Sequence, residues 1–248
     1  MYTKGGGAVA RFCLLLLICL LGGVTQGTCG FGCGIFATLG FSAYLPVPQA
    51  AAVTSIINLG LTLPMVLRYR KHLTLRGIVL PFLVYTVSAV LIIRFSAGLD
   101  GKLLKRVFGG FLVALSLYHF TLRGKQPARW TPWLAALAFI VSGLGSGLFG
   151  VGGPLLVLYF LANTDCKEEF LADTQMIFVL GAVPSLYTRV TSGLLTPGHI
   201  PFLIPGLIGV LLGFFIAGKI VGRVDKQRLT KIVYTAIGLS GLCYLLGM

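Results

Sequence analysis

The chain carries little charge, and acidic residues are especially rare in it. Of its 248 residues, 10% are charged, with six Asp and Glu against 20 Lys and Arg. A soluble domain carries about 25% charged residues, so a soluble globular fold is excluded. Segments of about ten residues with alternating polarity are also missing, which excludes a transmembrane β-barrel. The composition therefore predicts an all-α polytopic membrane protein.

Motifs of catalysis and of metal binding are missing as well. The sequence contains no HExxH, GxSxG or Walker motif and no His/Asp pair, so we expect no enzyme activity, cofactor or metal. Most of the six cysteines lie within apolar runs, where a thiol behaves as a small hydrophobic group. The spacing of Cys29 and Cys33 leaves a metal or redox role as an alternative. Without a soluble basic domain, nucleic acid is not expected as a partner.

Long apolar runs are what the sequence has in place of charge. Hydrophobic residues make up 56% of the chain, and a membrane span needs roughly 20 of them in a row. We predict about eight to ten membrane segments, two of which are too short to span. In the first half they cover residues 9–26, 35–45, 49–67, 77–96 and 107–122; in the second half they cover 133–146, 155–162, 174–187, 199–221 and a final C-terminal run.

Two glycine-rich stretches lie 120 residues apart and indicate an internal duplication. Residues 143–154 read GLGSGLFGVGGP, and residues 23–34 read GVTQGTCGFGCG. Four glycines of the second stretch fall on glycines of the first, and Pro-Phe-Leu at 201–203 falls on 81–83 with the same offset. Such a register predicts two repeats. They comprise residues 1–122 and 133–248, joined by a polar linker at 123–132.

In each repeat a glycine stretch interrupts the apolar sequence just before a short segment. Paired interruptions of this kind point to a transporter binding site, because irregular backbone at membrane depth must line protein or a cavity. Each repeat is thus expected to hold a glycine-broken, re-entrant helix pair plus three spanning helices. Basic residues in 68–76, in the linker and in 219–231 favour cytoplasmic loops and inverted repeats. The basic loop at 100–106 breaks that pattern and keeps a parallel eight-span arrangement open.

The glycine stretches could bind an anion through their backbone. Glycine permits unwinding and close approach, and free N–H groups at a helix N-terminus attract anions. For Gly30, Gly32, Gly150, Gly152 and Gly153 we favour contact with a ligand. Gly27 and Gly147 are further candidates, although for them we favour helix packing through small residues over contact with a ligand. No buried lysine or arginine is needed for this kind of site.

The third segment of each half carries polar side chains in matching register. Thr54, Ser55 and Asn58 share one helical face, and Thr174 and Gln175 fall on Thr54 and Ser55 with the offset of 120. Polar groups within apolar segments usually face the protein interior. They either donate to the substrate or bond neighbouring helices, and Asn58 and Gln175 are the best candidates for the substrate.

Charged residues near the segments give no further site. We expect Arg94 and Arg189 to extend toward the membrane surface, since long basic side chains do so at helix ends. Gating of an anion path by either arginine is the alternative. His72, His119 and His199 are scattered, and Asp173 is the single carboxyl group close to a segment. The coupling ion, a proton or sodium, is left open.

Two long runs resemble a known family. SGLGSGLFGVGGPLLVLYFL and AAAVTSIINLGLTLPMVLRYRKHL resemble the TauE/SafE family of sulfite exporters and related anion permeases, and the likeness covers roughly 14–245. The chain departs from the family at Pro154, where many members carry a small residue, and at Cys29 and Cys33. The resemblance implies a duplicated carrier in the cell membrane for sulfite, sulfonates or other small anions.

These observations together predict a secondary transporter in the lipid bilayer with a small anionic substrate. An anion channel and a carrier of non-sulfur organic anions remain alternatives. A homodimer is left open. The net charge of +14 fits attraction of an anion, but basic loops on one side of the membrane explain most of it.

Overall fold

The computed structural model describes residues 4–96, 98–122, 130–220, 235, 238–239 and 241–246, and this part of the chain contains no strand. Two turns of 3₁₀ helix, Arg70–His72 and Pro197–His199, accompany the longer helices. The α-helices are α1 (Lys4–Cys29), α2 (Cys33–Ser42), α3 (Val47–Tyr69), α4 (Leu75–Ser96), α5 (Gly101–Leu122), α6 (Pro132–Phe149), α7 (Pro154–Asn163), α8 (Lys167–Thr191) and α9 (Ile200–Ile220). The predicted all-α class is confirmed.

Six helices of the described chain are long and apolar enough to cross a membrane. They are Ala8–Cys29, Val47–His72, Gly77–Ser96, Pro132–Phe149, Lys167–Thr191 and Pro197–Lys219. With the two short apolar helices Cys33–Ser42 and Pro154–Asn163, eight of the ten predicted segments are apolar helices in the described chain. Helix α5 is not among them because lysine and arginine occupy its first turns, and the apolar part that follows is shorter than the roughly 20 residues of a span. Most of the linker and of the final predicted segment lies outside the described residues.

The helical backbone is interrupted at residues 30–32, the first break, and at residues 150–153, the second break. Gly30 has φ 84° and Gly32 has φ 122°, values that side chains rarely tolerate. Gly150, at φ 65°, ends α6 in a left-handed turn. Its N–H donates to Ser146 O, the bond that defines an αL cap, and Val151 N donates to Gly145 O. Glycine at these positions lets the chain leave one helix and start the next.

The acidic stretch at 165–173 precedes the segment predicted at 174–187, and most of it is helical in the structure. Helix α8 begins at Lys167, so Glu168, Glu169 and Asp173 lie within its first two turns. Cys166 caps the helix, its sulfur accepting from Glu169 N at 3.5 Å. Carboxylates near a helix N-terminus are stabilised by the helix dipole, which explains why this stretch is helical.

Helices α3 and α8 pack on each other at the centre of the protein. In the apolar stretch of each of these two helices, 56% of the residues are buried inside the protein, against 28% in α1 and in α4. Around this pair, α1 packs on α9, and α6 packs on α4. The short helix α2 lies between α1 and α3, and α7 lies against α6 and α8. The fold therefore brings both breaks next to the central pair.

Candidate functional site

The two breaks lie side by side, although they come from different halves of the chain. A Cβ added to Gly34, in the first turn of α2, would overlap the carbonyl oxygen of Gly150. The hydroxyl of Thr38 donates to Phe149 O at 2.5 Å and lies 3.0 Å from the hydroxyl of Thr54. Helices α2, α3 and α6 thus meet where the first and second breaks approach each other.

A small cavity lies between the breaks. Its lining includes Gly32 and Gly34 from one half, Gly150 and Gly152 from the other, and the side chain of Asn58. Its volume is about 10 Å³. A second cavity of about 20 Å³ adjoins it. Asn58, Gly150 and Phe178 line both, and Ser55, Tyr85 and Ser146 also line the second. Each cavity has about the room that one water molecule needs, so the site is closed in this conformation.

Backbone donors remain unused at both breaks. Within the described chain no protein group accepts a hydrogen bond from the N–H of Gly32, Gly152 or Gly153. Gly32 caps the N-terminus of α2, and Gly153 caps that of α7. The positive ends of two helices, with unpaired N–H groups, therefore lie beside the cavity, an arrangement that favours a negative ligand.

Two glutamines close the first break. Cys33 N donates to Gln26 Oε1 at 3.2 Å, and Gln26 Nε2 donates to Gln175 Oε1 at 3.1 Å. Gln175 Nε2 in turn donates to Gly30 O at 2.6 Å. Gln175, expected to contact substrate, thus bonds the backbone and lines neither cavity. Gln26 was not singled out in the sequence, although a glutamine inside a glycine motif is a recognisable signal.

The other polar candidates lie in different surroundings. Asn58 Oδ1 is buried and has no hydrogen-bond partner in the described chain. Ser55 donates to Ala51 O of its own helix, and its neighbour Thr54 is fully buried. Thr174 Oγ1 is also buried without a partner there, but it lines neither cavity. The structure therefore brings Ser55 and Asn58 to the cavities.

Gly27 and Gly147 lie inside α1 and α6 rather than in the breaks. A Cβ on Gly27 would come within 2.7 Å of Ala217 Cβ on α9. A Cβ on Gly147 would lie 2.6 Å from Ala89 O on α4. Both positions sit at close contacts between helices, as the packing interpretation expects.

Arg189 was expected to reach toward the membrane surface, and the structure shows the opposite. Its side chain is fully buried in α8. Nη2 donates to Ser146 O at 3.0 Å and to Gly147 O at 2.8 Å, and Nη1 lies 3.5 Å from Pro48 O. The prediction failed because α8 continues to Thr191, and the guanidinium in this turn bonds carbonyls of α3 and α6. Arg94, by contrast, is exposed.

Tyr85 of α4 is a second residue that the sequence did not single out. Its hydroxyl donates to Ser146 Oγ at 2.7 Å, and its ring centroid lies 6.1 Å from that of Phe178. A Cβ on Gly152 would overlap this hydroxyl. Tyr85 therefore forms one wall of the larger cavity. A tyrosine inside a long apolar segment is the signal that could have identified it.

Titratable residues in the described chain form no metal centre, and no group of three His, Cys, Asp or Glu could hold an ion there. Cys29 and Cys33 are free thiols. Asp173 accepts from Thr74 N at 2.8 Å and does not line either cavity. The chemistry available at the breaks is therefore hydrogen bonding and charge.

Comparison with known proteins decides the family. The sequence profile described as sulfite exporter TauE/SafE matches residues 15–244, which include both glycine stretches. The chain belongs to the TauE/SafE family. This membership confirms the resemblance and makes the chain a multi-pass membrane protein of a transporter family.

A curated relative is also similar to this TauE/SafE chain. A probable membrane transporter protein of Methanocaldococcus jannaschii is 24% identical over 173 residues, or 64% of this chain. The match spans 62% of that protein's length. No solved structure matches the chain.

Proposed function

We propose that this TauE/SafE protein is a secondary transporter of the cell membrane for small sulfur-containing anions such as sulfite or organosulfonates. The anion binds between the first and second breaks. The observation that carries this proposal is the cavity lined by Gly32 and Gly152, one from each half, whose N–H groups have no protein acceptor in the described chain. The family description, which names sulfite export, supports the choice of substrate.

The hydrogen bonds available suit an oxyanion. Its oxygens accept from the amides of Gly32, Gly152 and Gly153, and the Asn58 side chain adds a polar group from α3. The small number of fixed contacts favours release as well as binding. Because each cavity holds about one water, binding of sulfite requires the two breaks to move apart. A closed site between two halves is the state expected midway through alternating access.

We also propose that the chain is an internal duplication whose two halves have inverted orientations in the membrane. The order of a long helix, a short helix and two long helices occurs twice, in α1–α4 and in α6–α9. Pro64 inside α3 and Pro184 inside α8 are related by the same offset of 120 as the glycine stretches. The packing of α1 on α9 is the counterpart of α6 on α4, and both pairs surround α3 and α8. These correspondences support a pseudo-two-fold axis through the site.

Flux measurements test the proposal. The purified protein is reconstituted in proteoliposomes, and radiolabelled sulfite uptake is measured with and without an imposed proton or sodium gradient. Saturation and counterflow are expected, and the gradient that accelerates uptake identifies the coupling ion. Linear flux that follows voltage would indicate a channel, and competition by acetate but not by methanesulfonate would indicate a carrier of carboxylates. Uptake of labelled sulfite, methanesulfonate and acetate is compared with that of empty liposomes. If none of the three exceeds it, the proposal is overturned.

A further inference from the structure

Arg189 is a buried cation without a carboxylate partner. Five of the six acidic residues lie in the described chain, and every hydrogen bond of Arg189 there goes to a backbone carbonyl. Its Nε has no partner among the described residues. Arginine stays charged in proteins, and an ionisable group within a membrane segment is costly. Its presence at full burial therefore calls for a function.

The carbonyls that Arg189 binds belong to the last turn of α6. Ser146 and Gly147 lie there, immediately before the second break. The C-terminal end of a helix carries about half a negative charge on such carbonyls. Ser146 also lines the larger cavity. Without Arg189, the negative C-terminal end of α6 would repel an anion at the second break, where the N-terminus of α7 attracts it.

The charges around the cavities leave one positive charge in excess. At each break the C-terminus of one helix and the N-terminus of the next contribute charges of opposite sign, about half a unit each, which cancel. The first break is closed by the neutral amide of Gln175. No charged side chain lines either cavity. Among the described residues, Arg189 is thus the source of net charge at the site.

We propose that Arg189 is the fixed charge that makes the site select anions, and that this single charge fully compensates a singly charged anion but only half of a doubly charged one. The inference rests on the proposed function. Arg189 is a positioning residue, because it acts through the carbonyls of Ser146 and Gly147 rather than by touching the anion. A doubly charged anion leaves one negative charge uncompensated in a buried site, which is unfavourable. Methanesulfonate or hydrogen sulfite therefore binds better than sulfate.

Binding of methanesulfonate and of sulfate to the purified protein tests this selectivity. The wild type is expected to prefer methanesulfonate. Arg189→Lys keeps the charge and the preference. Arg189→Gln removes the charge and weakens methanesulfonate binding by about tenfold, the factor for a unit charge about 10 Å away at an effective dielectric of about 20. Sulfate binding falls by about a hundredfold, because the lost attraction is proportional to the charge of the anion, so the preference for methanesulfonate rises. Loss of carbonyl contacts alone would affect both variants and would leave the ratio of the two anions unchanged.

A second variant covers the case in which Arg189→Gln does not fold. Asn58→Asp places a negative charge at both cavities and leaves the contacts of Arg189 intact. It is expected to weaken methanesulfonate binding by about tenfold as well. The matched control is Asn163→Asp, the same change at an exposed site at the end of α7.

The outcomes separate this inference from the proposed function. Wild-type selectivity in Arg189→Gln, or tighter binding of sulfate by the wild type, would each overturn the role of Arg189 alone. Equal affinity in Asn58→Asp and Asn163→Asp would overturn the placement of the anion at these cavities, and with it the proposed function. A wild type that binds and transports no anion would overturn the proposed function, and this inference with it.

Discussion

The side-chain amide of Gln175 donates a 2.6 Å hydrogen bond to the carbonyl oxygen of Gly30, so α8 in one half holds the first break in the other. Gln26 completes the connection by bonding both Gln175 and Cys33 N. The two amides replace backbone bonds that the helix loses where it is interrupted. Lipid supplies no alternative partner, which explains why such a break needs side chains from elsewhere.

Gln175→Ala is expected to destabilise the protein. It leaves Gly30 O and the Gln26 amide without their partner, which costs about 1–3 kcal/mol. Thermal unfolding of the protein in detergent measures the change. Ser55→Ala, at the corresponding position of the other half, is the control because its hydroxyl bonds a carbonyl of its own helix. Equal unfolding temperatures for the two variants would show that the bridge does not stabilise the fold.

Asn58→Ala is expected to affect binding and not stability. Its side-chain oxygen has no partner in the described chain, so removing it breaks no bond that the closed protein makes there. Loss of a hydrogen bond to a charged ligand weakens binding by about 1–3 kcal/mol. A titration with methanesulfonate measures the affinity. Asn163→Ala, at the exposed end of α7, should bind as the wild type does, and equal affinities for both variants would remove Asn58 from the site.

Gly152→Ala is expected to reduce sulfite transport strongly, by about tenfold or more if the disturbed contact costs 1.4 kcal/mol. The added Cβ would overlap the Tyr85 hydroxyl and lie 2.7 Å from Ser146 Cβ. It therefore displaces the Tyr85–Ser146 hydrogen bond and covers a backbone donor. Gly77→Ala is the control, because nothing lies within 4 Å of its added Cβ. Initial uptake rates in proteoliposomes, normalised to folded protein, give the comparison. Wild-type transport by Gly152→Ala contradicts a role for this wall of the cavity.

Gly27→Ala is expected to lower stability by disturbing the contact between α1 and α9. The new methyl group would lie 2.7 Å from the methyl group of Ala217. Overpacking of this kind typically costs 1–3 kcal/mol, so about that loss is expected. Ala217→Gly in the same background makes room and should restore the unfolding temperature. A double-mutant cycle measured by thermal unfolding gives the coupling. If the two effects simply add, Gly27 does not act through this contact.

The positions of the two breaks could be predicted from the sequence, and their surroundings could not. Glycine clusters show where a helix can be interrupted, because only glycine readily adopts the positive φ of Gly30, Gly32 and Gly150. Sequence spacing does not show that Gly34 of one half lies against Gly150 of the other. That contact depends on how α2 and α6 pack.

Arg189 shows the same limit. In the sequence, Arg189 comes just after the segment predicted at 174–187, so it is expected at the membrane surface. Its burial follows from the continuation of α8 to Thr191 and from the carbonyls of α6 that pack around it. Apolar length alone likewise does not distinguish α5 from a spanning helix, since lysine and arginine occupy its first turns.

The sequence by itself determined that the chain is a multi-pass helical membrane protein, where its helices are interrupted, and to which family it belongs. Hydrophobic runs and glycine are local properties, and lipid requires every helix to satisfy its own backbone. The tertiary structure decided which polar groups lie together: Gln26 with Gln175, Tyr85 with Ser146, and Arg189 with the end of α6. These partners are distant in sequence, and helix packing alone sets which of them meet.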